Sequence, residues 1–326
     1  MKESDPALFR NWIPSRLRKK ENELWLEWVY LGDVQFIDPF FNETIVECKF
    51  QNSYSPDGIG CRLTSLEFLI EVAEKLDFVD PSLFIFHTSR CGSTLITQLL
   101  SLDEANIVVS EYALIDLLFR INEDKEVVPA SIRKQLIQSI FSVIGQKRNS
   151  RQQRLIVKLD SWHSYYYDEL KALFPSAQKA FMFREPDSIL NSIERKPGIQ
   201  FVPTIIAPAY FNLREEDLPL YAVTGYANLV LEKMYQSAEE LALKDDELLL
   251  LDYDEGMEYN FNLVIKLLAI PGDFATEDRV KQRLNYHSKE PSANFIKDEP
   301  AWHKSTSKAT QDAYLQLKQF IKGRSV

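Results

Sequence analysis

Residues 84–100 read FIFHTSRCGSTLITQLL, and the interpretation of the whole chain turns on them. The apolar run LFIFH (83–87) predicts a buried strand, and Leu95, Ile96, Leu99, Leu100 and Leu102 follow at the spacing of a helix with one apolar face. Between them, HTSRCGST fits the phosphate-binding pattern G-x-x-x-x-G-K-[ST], with His87 at the first glycine, Gly92 at the second and Thr94 at the closing hydroxyl. Ser93 stands where the lysine should be. The charge that grips the terminal phosphates of ATP is therefore missing from its usual place, and a plain nucleoside triphosphatase loses its central support. The cation sits three residues earlier, at Arg90. Gly92 lets backbone approach a ligand closely, while a helix start bearing the hydroxyls of Ser93 and Thr94 favours an anion. A cysteine phosphatase loop, C-x5-R, would need arginine at position 97, where Thr97 stands. An ordinary strand-to-helix turn with a hydroxyl cap would need no ligand at all, so the loop must be judged with its partners elsewhere.

Outward from this stretch, short apolar runs alternate with helical patterns. Strands are predicted at 83–87, 106–110, 154–159, 179–183 and 247–253, and helices at 129–146, 164–173, 220–243 and 260–269. Such alternation implies an α/β fold with a parallel sheet covered by helices on both faces, whose ligands bind at the carboxyl ends of the strands. The first 80 residues have another texture. ELWLEWVYLGDVQFIDPFF and ETIVECKF read as short strands, and TSLEFLIEVAEKLDF (64–78) as a helix. Residues 1–80 are taken as an N-terminal aromatic-rich extension of unknown role, and 81–326 as the main domain.

Composition narrows the function classes. The chain has 326 residues, 45% of them hydrophobic, with 38 basic against 48 acidic side chains and a net charge of −10. That balance argues against a non-specific grip on nucleic acid or an anionic membrane, so an anion site must be a local pocket. No apolar run has the length of a membrane span, and MKESDPALFRNWIPSRLRKK lacks the apolar core of a signal peptide. Cys48, Cys61 and Cys91 cannot all pair and share no metal-type spacing, which fits a reducing cytoplasm and a site without metal.

A second cationic strand end occurs in FMFREPDSILNSIERK (181–196), where Arg184 closes the apolar run and Ser192 follows eight residues on. Here the chain resembles the sulfotransferase family that uses 3′-phosphoadenosine 5′-phosphosulfate as donor. SRCGSTL resembles that family's 5′-phosphosulfate loop, REPDSILNS its 3′-phosphate motif, and LLLLDYDEG (248–256) its strand with a tyrosine followed by an acidic residue and a helix. The resemblance runs from about residue 82 to 270. It implies a three-layer P-loop-like fold with a central parallel sheet flanked by helices.

The resemblance further implies that Arg90, with the backbone N–H groups of Cys91, Gly92, Ser93 and Thr94, contacts the 5′-phosphosulfate, and that Arg184 and Ser192 hold the 3′-phosphate. Arginine suits both tasks, because a guanidinium stays charged and bonds two oxygens at once. The transfer needs a base. Where many cytosolic members place a histidine, VKLDSWH puts Asp160, with His163 three residues later. Another branch places a glutamate about twenty residues after the loop arginine, and Glu111 stands 21 after Arg90. Glu111 is taken as the base, with Asp160 and His163 as alternatives and Lys158 as the group that steadies leaving-group charge. Lys297 and Lys304, near Trp302, stand where cytosolic members carry a basic C-terminal loop over the 3′-phosphate, without its R-K-G.

The expected reaction is transfer of a sulfonate group to a hydroxyl or amine of a small acceptor. A homodimer is left open, and the stretch 194–220 with parts of the aromatic N-terminal region is the expected acceptor pocket. KRNSRQQR (147–154) reads as a solvated linker. The alternatives are a degenerate P-loop kinase or NTPase, and a nucleotide-binding module without turnover.

Overall fold

The computed structural model describes residues 5–20, 23–54, 60–123, 125–203, 205–214, 216, 218, 223–284 and 305–324. In chain order its elements open with β1 (Trp12–Lys20), β2 (Glu23–Tyr30), α1 (Phe41–Ser53), β3 (Arg62–Ser65) and α2 (Phe68–Ala73). Then come β4 (Pro81–His87), α3 (Ser93–Leu100), β5 (Asn106–Ser110), α4 (Ala113–Phe119), α5 (Ala130–Ile144) and β6 (Arg154–Lys158). They are followed by α6 (Tyr167–Leu173), β7 (Gln178–Phe183), α7 (Pro186–Arg195) and α8 (Val223–Lys244). The last are β8 (Leu249–Asp252), α9 (Met257–Leu267), α10 (Asp278–Leu284) and α11 (Lys308–Arg324).

Five strands form a parallel sheet in the order β5-β6-β4-β7-β8, flanked by helices, as the alternating pattern predicts. The non-sequential order means that crossover connections join the parallel strands. The strands are short and almost wholly buried: Ile107, Val109, Leu155, Ile156, Val157, Ile85, Ala180, Phe181, Met182 and Phe183 expose 1% or less. This is the signature of a sheet covered on both faces. No helix among the described residues is long and apolar enough to cross a membrane.

The chain divides into two compact units. One comprises Met1–Ser82, Leu100–Lys158 and Glu169–Ala177; the other comprises Leu83–Leu99, Leu159–Asp168 and Gln178–Val326.

Within the first unit, β1, β2 and β3 make an antiparallel sheet in that order. Two sequence expectations fail here, and one strand was not read from the sequence at all. WIPSRLRKK is a strand, β1, whose charged outer positions and Pro14, at a register shift, hide its alternation. ETIVECKF is not a strand but part of α1, because Phe41, Ile45 and Cys48 fall on one buried helical face together with Thr44 and Asn52. The helix expected over 64–78 is confined to Phe68–Ala73, since Thr64 and Ser65 pair with Leu26 and Trp25 of β2, and Trp28 Nε1 donates to Thr64 Oγ1 at 2.8 Å. The helix α3 stops at Leu100, so Leu102 lies beyond it rather than on its apolar face.

One carboxylate organises the antiparallel sheet. Glu27 of β2 is 3% exposed, and it accepts from Arg16 Nε at 2.9 Å, Arg18 Nε at 2.6 Å and Lys49 Nζ of α1 at 2.8 Å. Burial opposes its charge, but the hydrogen bonds from Arg16, Lys49 and Arg18 outweigh burial and hold the carboxyl down at about 2, against an ordinary 4.5. A depressed folded value means stability that is fully present above pH 4.5 and lost as pH falls through about 2. Glu27→Gln is therefore expected to lower the urea unfolding free energy by about 1–3 kcal/mol at neutral pH. Repeating the titration at decreasing pH should show the gap to wild type closing below pH 4.5; a gap that stays constant would mean that the ion pairs contribute nothing.

Candidate functional site

The second unit contains the phosphate-type loop. β4 ends at His87, and the chain turns through two consecutive left-handed residues, Ser89 (φ 66°) and Arg90 (φ 51°), before Gly92 (φ 84°) starts α3. Left-handed conformations in non-glycine residues cost free energy and persist only where surroundings hold them. His87 does the holding. Its ring is 4% exposed; Nδ1 accepts from Ser89 N–H at 2.9 Å, which places the ring proton on Nε2, facing the Leu159 carbonyl at 3.0 Å. The residue that removes the first glycine of the pattern is thus the pin of the turn. Thr88 N–H adds a bond to the Met182 carbonyl of β7 at 3.0 Å.

Gly92 is required twice over. Its φ is left-handed, and a Cβ there would lie 2.8 Å from Met257 Sδ and 2.9 Å from Tyr253 Cδ2. Its carbonyl takes the first helical bonds, from Leu95 and Ile96 N–H at 2.9 and 3.3 Å. Ser93 and Thr94 occupy the first turn of α3, where N–H groups have no partner within a helix. Cys91 is fully buried under the loop.

Arg184 leaves the carboxyl end of β7 half-buried. Its Nη1 donates to the Arg90 carbonyl at 3.3 Å, and its guanidinium lies 4.4 Å over the ring of Tyr253. The two arginines singled out by sequence are therefore neighbours, and the left-handed turn at Arg90 is what aims its carbonyl at Arg184. Arg90 itself extends the other way, donating from Nη2 to the Lys196 carbonyl just after α7 at 2.6 Å. Ser192 sits half-buried on α7, whose start is capped by Glu185 accepting from Asp187 and Ser188 N–H.

Several supporting residues carry no sequence signal of their own. Tyr235 of α8, fully buried with its hydroxyl pushed far up by burial, donates to the Arg184 carbonyl at 2.7 Å. The turn bearing Tyr253 is held on both sides from α11. Lys318 Nζ lies 2.8 Å from Asp252 Oδ2, and Tyr314 OH donates to Asp254 Oδ2 at 2.8 Å. Thr306 donates from backbone and hydroxyl to Asp187, and Asn228 of α8 bonds the backbone of Ser305 and Ser307. Tyr253 was legible as part of LLLLDYDEG, but its stacking on Arg184 was not. Lys297, Trp302 and Lys304 lie outside the described residues.

Asp160 and His163 are also in this unit. His163 opens a short 3₁₀ turn, is 1% exposed, and its Nδ1 accepts from Asp160 N–H at 3.2 Å while Nε2 stands 3.8 Å from Asp160 Oδ2. The two residues fold against each other in the turn that follows β6.

The first unit holds Glu111 and Lys158. β5 and β6 run in register with Ser110 opposite Lys158, so Glu111 follows directly beside the lysine. Glu111 adopts φ 49°, its N–H donates to the Lys158 carbonyl at 2.8 Å, and its Oε1 lies 2.8 Å from Lys158 Nζ. The lysine side chain has no exposure and Glu111 keeps 24% of its own; the ammonium also lies 5.2 Å over the ring of Phe40. A buried ammonium paired with a partly accessible carboxylate is an arrangement able to accept a proton at one group and steady negative charge at the other.

No family model matches the chain, and no curated protein matches it. Among solved structures, a sulfotransferase domain from the curacin biosynthetic pathway is 14% identical with a TM-score of 0.43, covering 74% of this chain and 99% of that one. Sulfotransferase STF9 from Mycobacterium avium is 14% identical with a TM-score of 0.42, covering 77% of each chain. The sulfotransferase domain of the Synechococcus PCC 7002 olefin synthase is 14% identical with a TM-score of 0.39, covering 77% of this chain and 97% of that one. Likeness of this degree carries no functional argument, which rests on the residues above.

The role given to His87 is open to measurement. His87→Ala strands the Ser89 N–H and the Leu159 carbonyl in the interior, and is expected to lower the unfolding free energy in urea by about 1–3 kcal/mol. His87→Asn, whose amide oxygen can stand in for Nδ1, should recover part of that loss, whereas equal losses in both variants would show that the bond to Ser89 does not hold the turn.

Proposed function

We propose that this chain transfers a sulfonate group from 3′-phosphoadenosine 5′-phosphosulfate to a hydroxyl or amine of a small acceptor. The observation that carries the proposal is the bond from Arg184 Nη1 to the Arg90 carbonyl, which joins two separately legible anion motifs in one compact unit. A donor with phosphates at both ends of its ribose calls for such a pair, and the residue types suit it: two guanidiniums, two hydroxyls and a helix start free of the ATP-type lysine. In this reading Arg90 and the backbone of Cys91, Gly92, Ser93 and Thr94 receive the 5′-phosphosulfate, and Arg184 and Ser192 the 3′-phosphate. The donor supplies an activated sulfonate; the protein supplies position and charge.

Glu111 is the proposed base, taking the proton of the acceptor's hydroxyl or amine, and Lys158 the group that offsets charge on the departing oxygen. Their mutual geometry favours Glu111 over His163, whose Nδ1 already accepts a backbone N–H and whose ring is 1% exposed. Asp160 and His163 are assigned to shaping the turn after β6.

Thermal melts test the nucleotide half of the proposal. 3′-Phosphoadenosine 5′-phosphate at about a hundred times its Kd should stabilise wild type by about 2.7 kcal/mol, while magnesium ATP should not. Arg184→Ala should lose the effect. Absence of any shift in the wild type would overturn the donor assignment. Glu111→Gln should keep the nucleotide-dependent shift but lose about 10²- to 10⁴-fold in transfer of labelled sulfonate to an acceptor panel. Unchanged turnover in that variant would move the base elsewhere.

A further inference from the structure

Helix α1 has apolar residues on both sides. One face buries Phe41, Thr44, Ile45, Cys48 and Asn52. The opposite face carries Val46, Phe50 and, at the C-cap, Tyr54, which are 66%, 65% and 74% exposed. They recur every four residues, so they form one stripe, and the Phe50 and Tyr54 rings touch with centroids 4.7 Å apart. A surface helix ordinarily turns polar residues outward, and aligned large apolar side chains on the outside mark an interaction surface. The double-sided pattern also explains why the segment does not read as a helix from sequence.

The two flanks of the stripe carry opposite charge. Glu43 and Glu47 lie along one side, both exposed. Lys49 lies on the other, where it meets Arg16 and Arg18 around the single carboxylate of Glu27, leaving cations in excess; Arg16 and Arg18 keep 53% and 48% side-chain exposure. Leu63 pairs with Glu27 across the sheet and is itself 51% exposed, so apolar surface continues beyond the cations.

We propose that this face binds a second copy of the chain, with the two α1 helices packed in parallel about a two-fold axis that runs along them. Charge decides the partner and the direction. A two-fold along the helices carries the acidic flank of one copy onto the basic flank of the other, making the patch self-complementary. A two-fold across them would set Glu43 and Glu47 against their own copies. An anionic lipid surface would meet those same glutamates on a chain of net charge −10. Val46, Phe50 and Tyr54 supply the dry centre of the contact, and the charged flanks its rim.

Light scattering behind a sizing column, over a wide range of protein concentration, should show a monomer passing to a dimer that weakens with salt. Phe50→Glu should reduce association at least about tenfold while leaving the melting temperature unchanged at dilutions where both proteins are monomers, since the side chain is exposed. The double variant Glu43→Lys/Glu47→Lys should weaken association in the same way. Direction is read by oxidation in a Cys61→Ser background. Val46→Cys alone cross-links to its own copy if the helices are parallel; if antiparallel, only the Val46→Cys/Tyr54→Cys double variant cross-links. A chain that stays monomeric at every concentration, or a Phe50→Glu variant that dimerises as wild type does, overturns the proposal, and the antiparallel cross-linking pattern overturns its geometry.

Discussion

Two successive left-handed residues between β4 and α3 are the constraint on which the proposed donor site depends. Ser89 and Arg90 would not hold those conformations unaided. They are held because His87 accepts the Ser89 N–H, and because the Arg90 carbonyl so turned becomes an acceptor for Arg184. Strain in the backbone is thereby converted into a link between two motifs that stand 94 residues apart. Tyr253 completes the arrangement from the other side, filling the space that Gly92 leaves and stacking on the Arg184 guanidinium. A lysine loop of the ATP type would place its cation on the helix; here the cations come from the loop and from the end of a neighbouring strand.

The proposed acid-base pair is built on another economy. Parallel register brings Ser110 opposite Lys158, so the next residue along β5, Glu111, needs only its left-handed turn to meet the ammonium. Two bonds, one from the backbone and one between side chains, tie the same two residues. Lys158 is buried where an unpaired ammonium would be costly, and Glu111 and the Phe40 ring offset that cost. In the proposed role, function and stability would draw on one contact, so that replacing either residue would affect both.

The parts of the fold that were legible are those whose pattern is local and one-sided. Near-continuous apolar runs such as LIV and AFMF, alternating with helical patterns, read as strands covered on both faces, and the structure has them as the parallel sheet. The parts that misled are two-sided or pinned from a distance. In α1, apolar residues on the outer face mask the helical period; in β1, basic residues that converge on Glu27 mask the strand. Thr64 and Ser65 are held in a strand by β2 although the residues around them suit a helix. In each case tertiary pairing overrides a local preference worth only fractions of a kcal/mol per residue.

The sequence by itself determined the chemical vocabulary of this protein: a glycine and hydroxyls at a helix start, an arginine three residues ahead of the missing lysine's position, a second arginine at a strand end, and a carboxylate and a lysine each closing an apolar run. Only the tertiary structure decided how those groups are used. That His87 is a pin rather than a lost glycine, that Arg184 rests on Tyr253 and the Arg90 carbonyl, and that Lys158 meets Glu111 all depend on contacts between residues distant in the chain. Residue type and spacing fix what a side chain can donate or accept. Which partner it meets is settled by strand order and register, set by burial of the whole sheet rather than by any one segment.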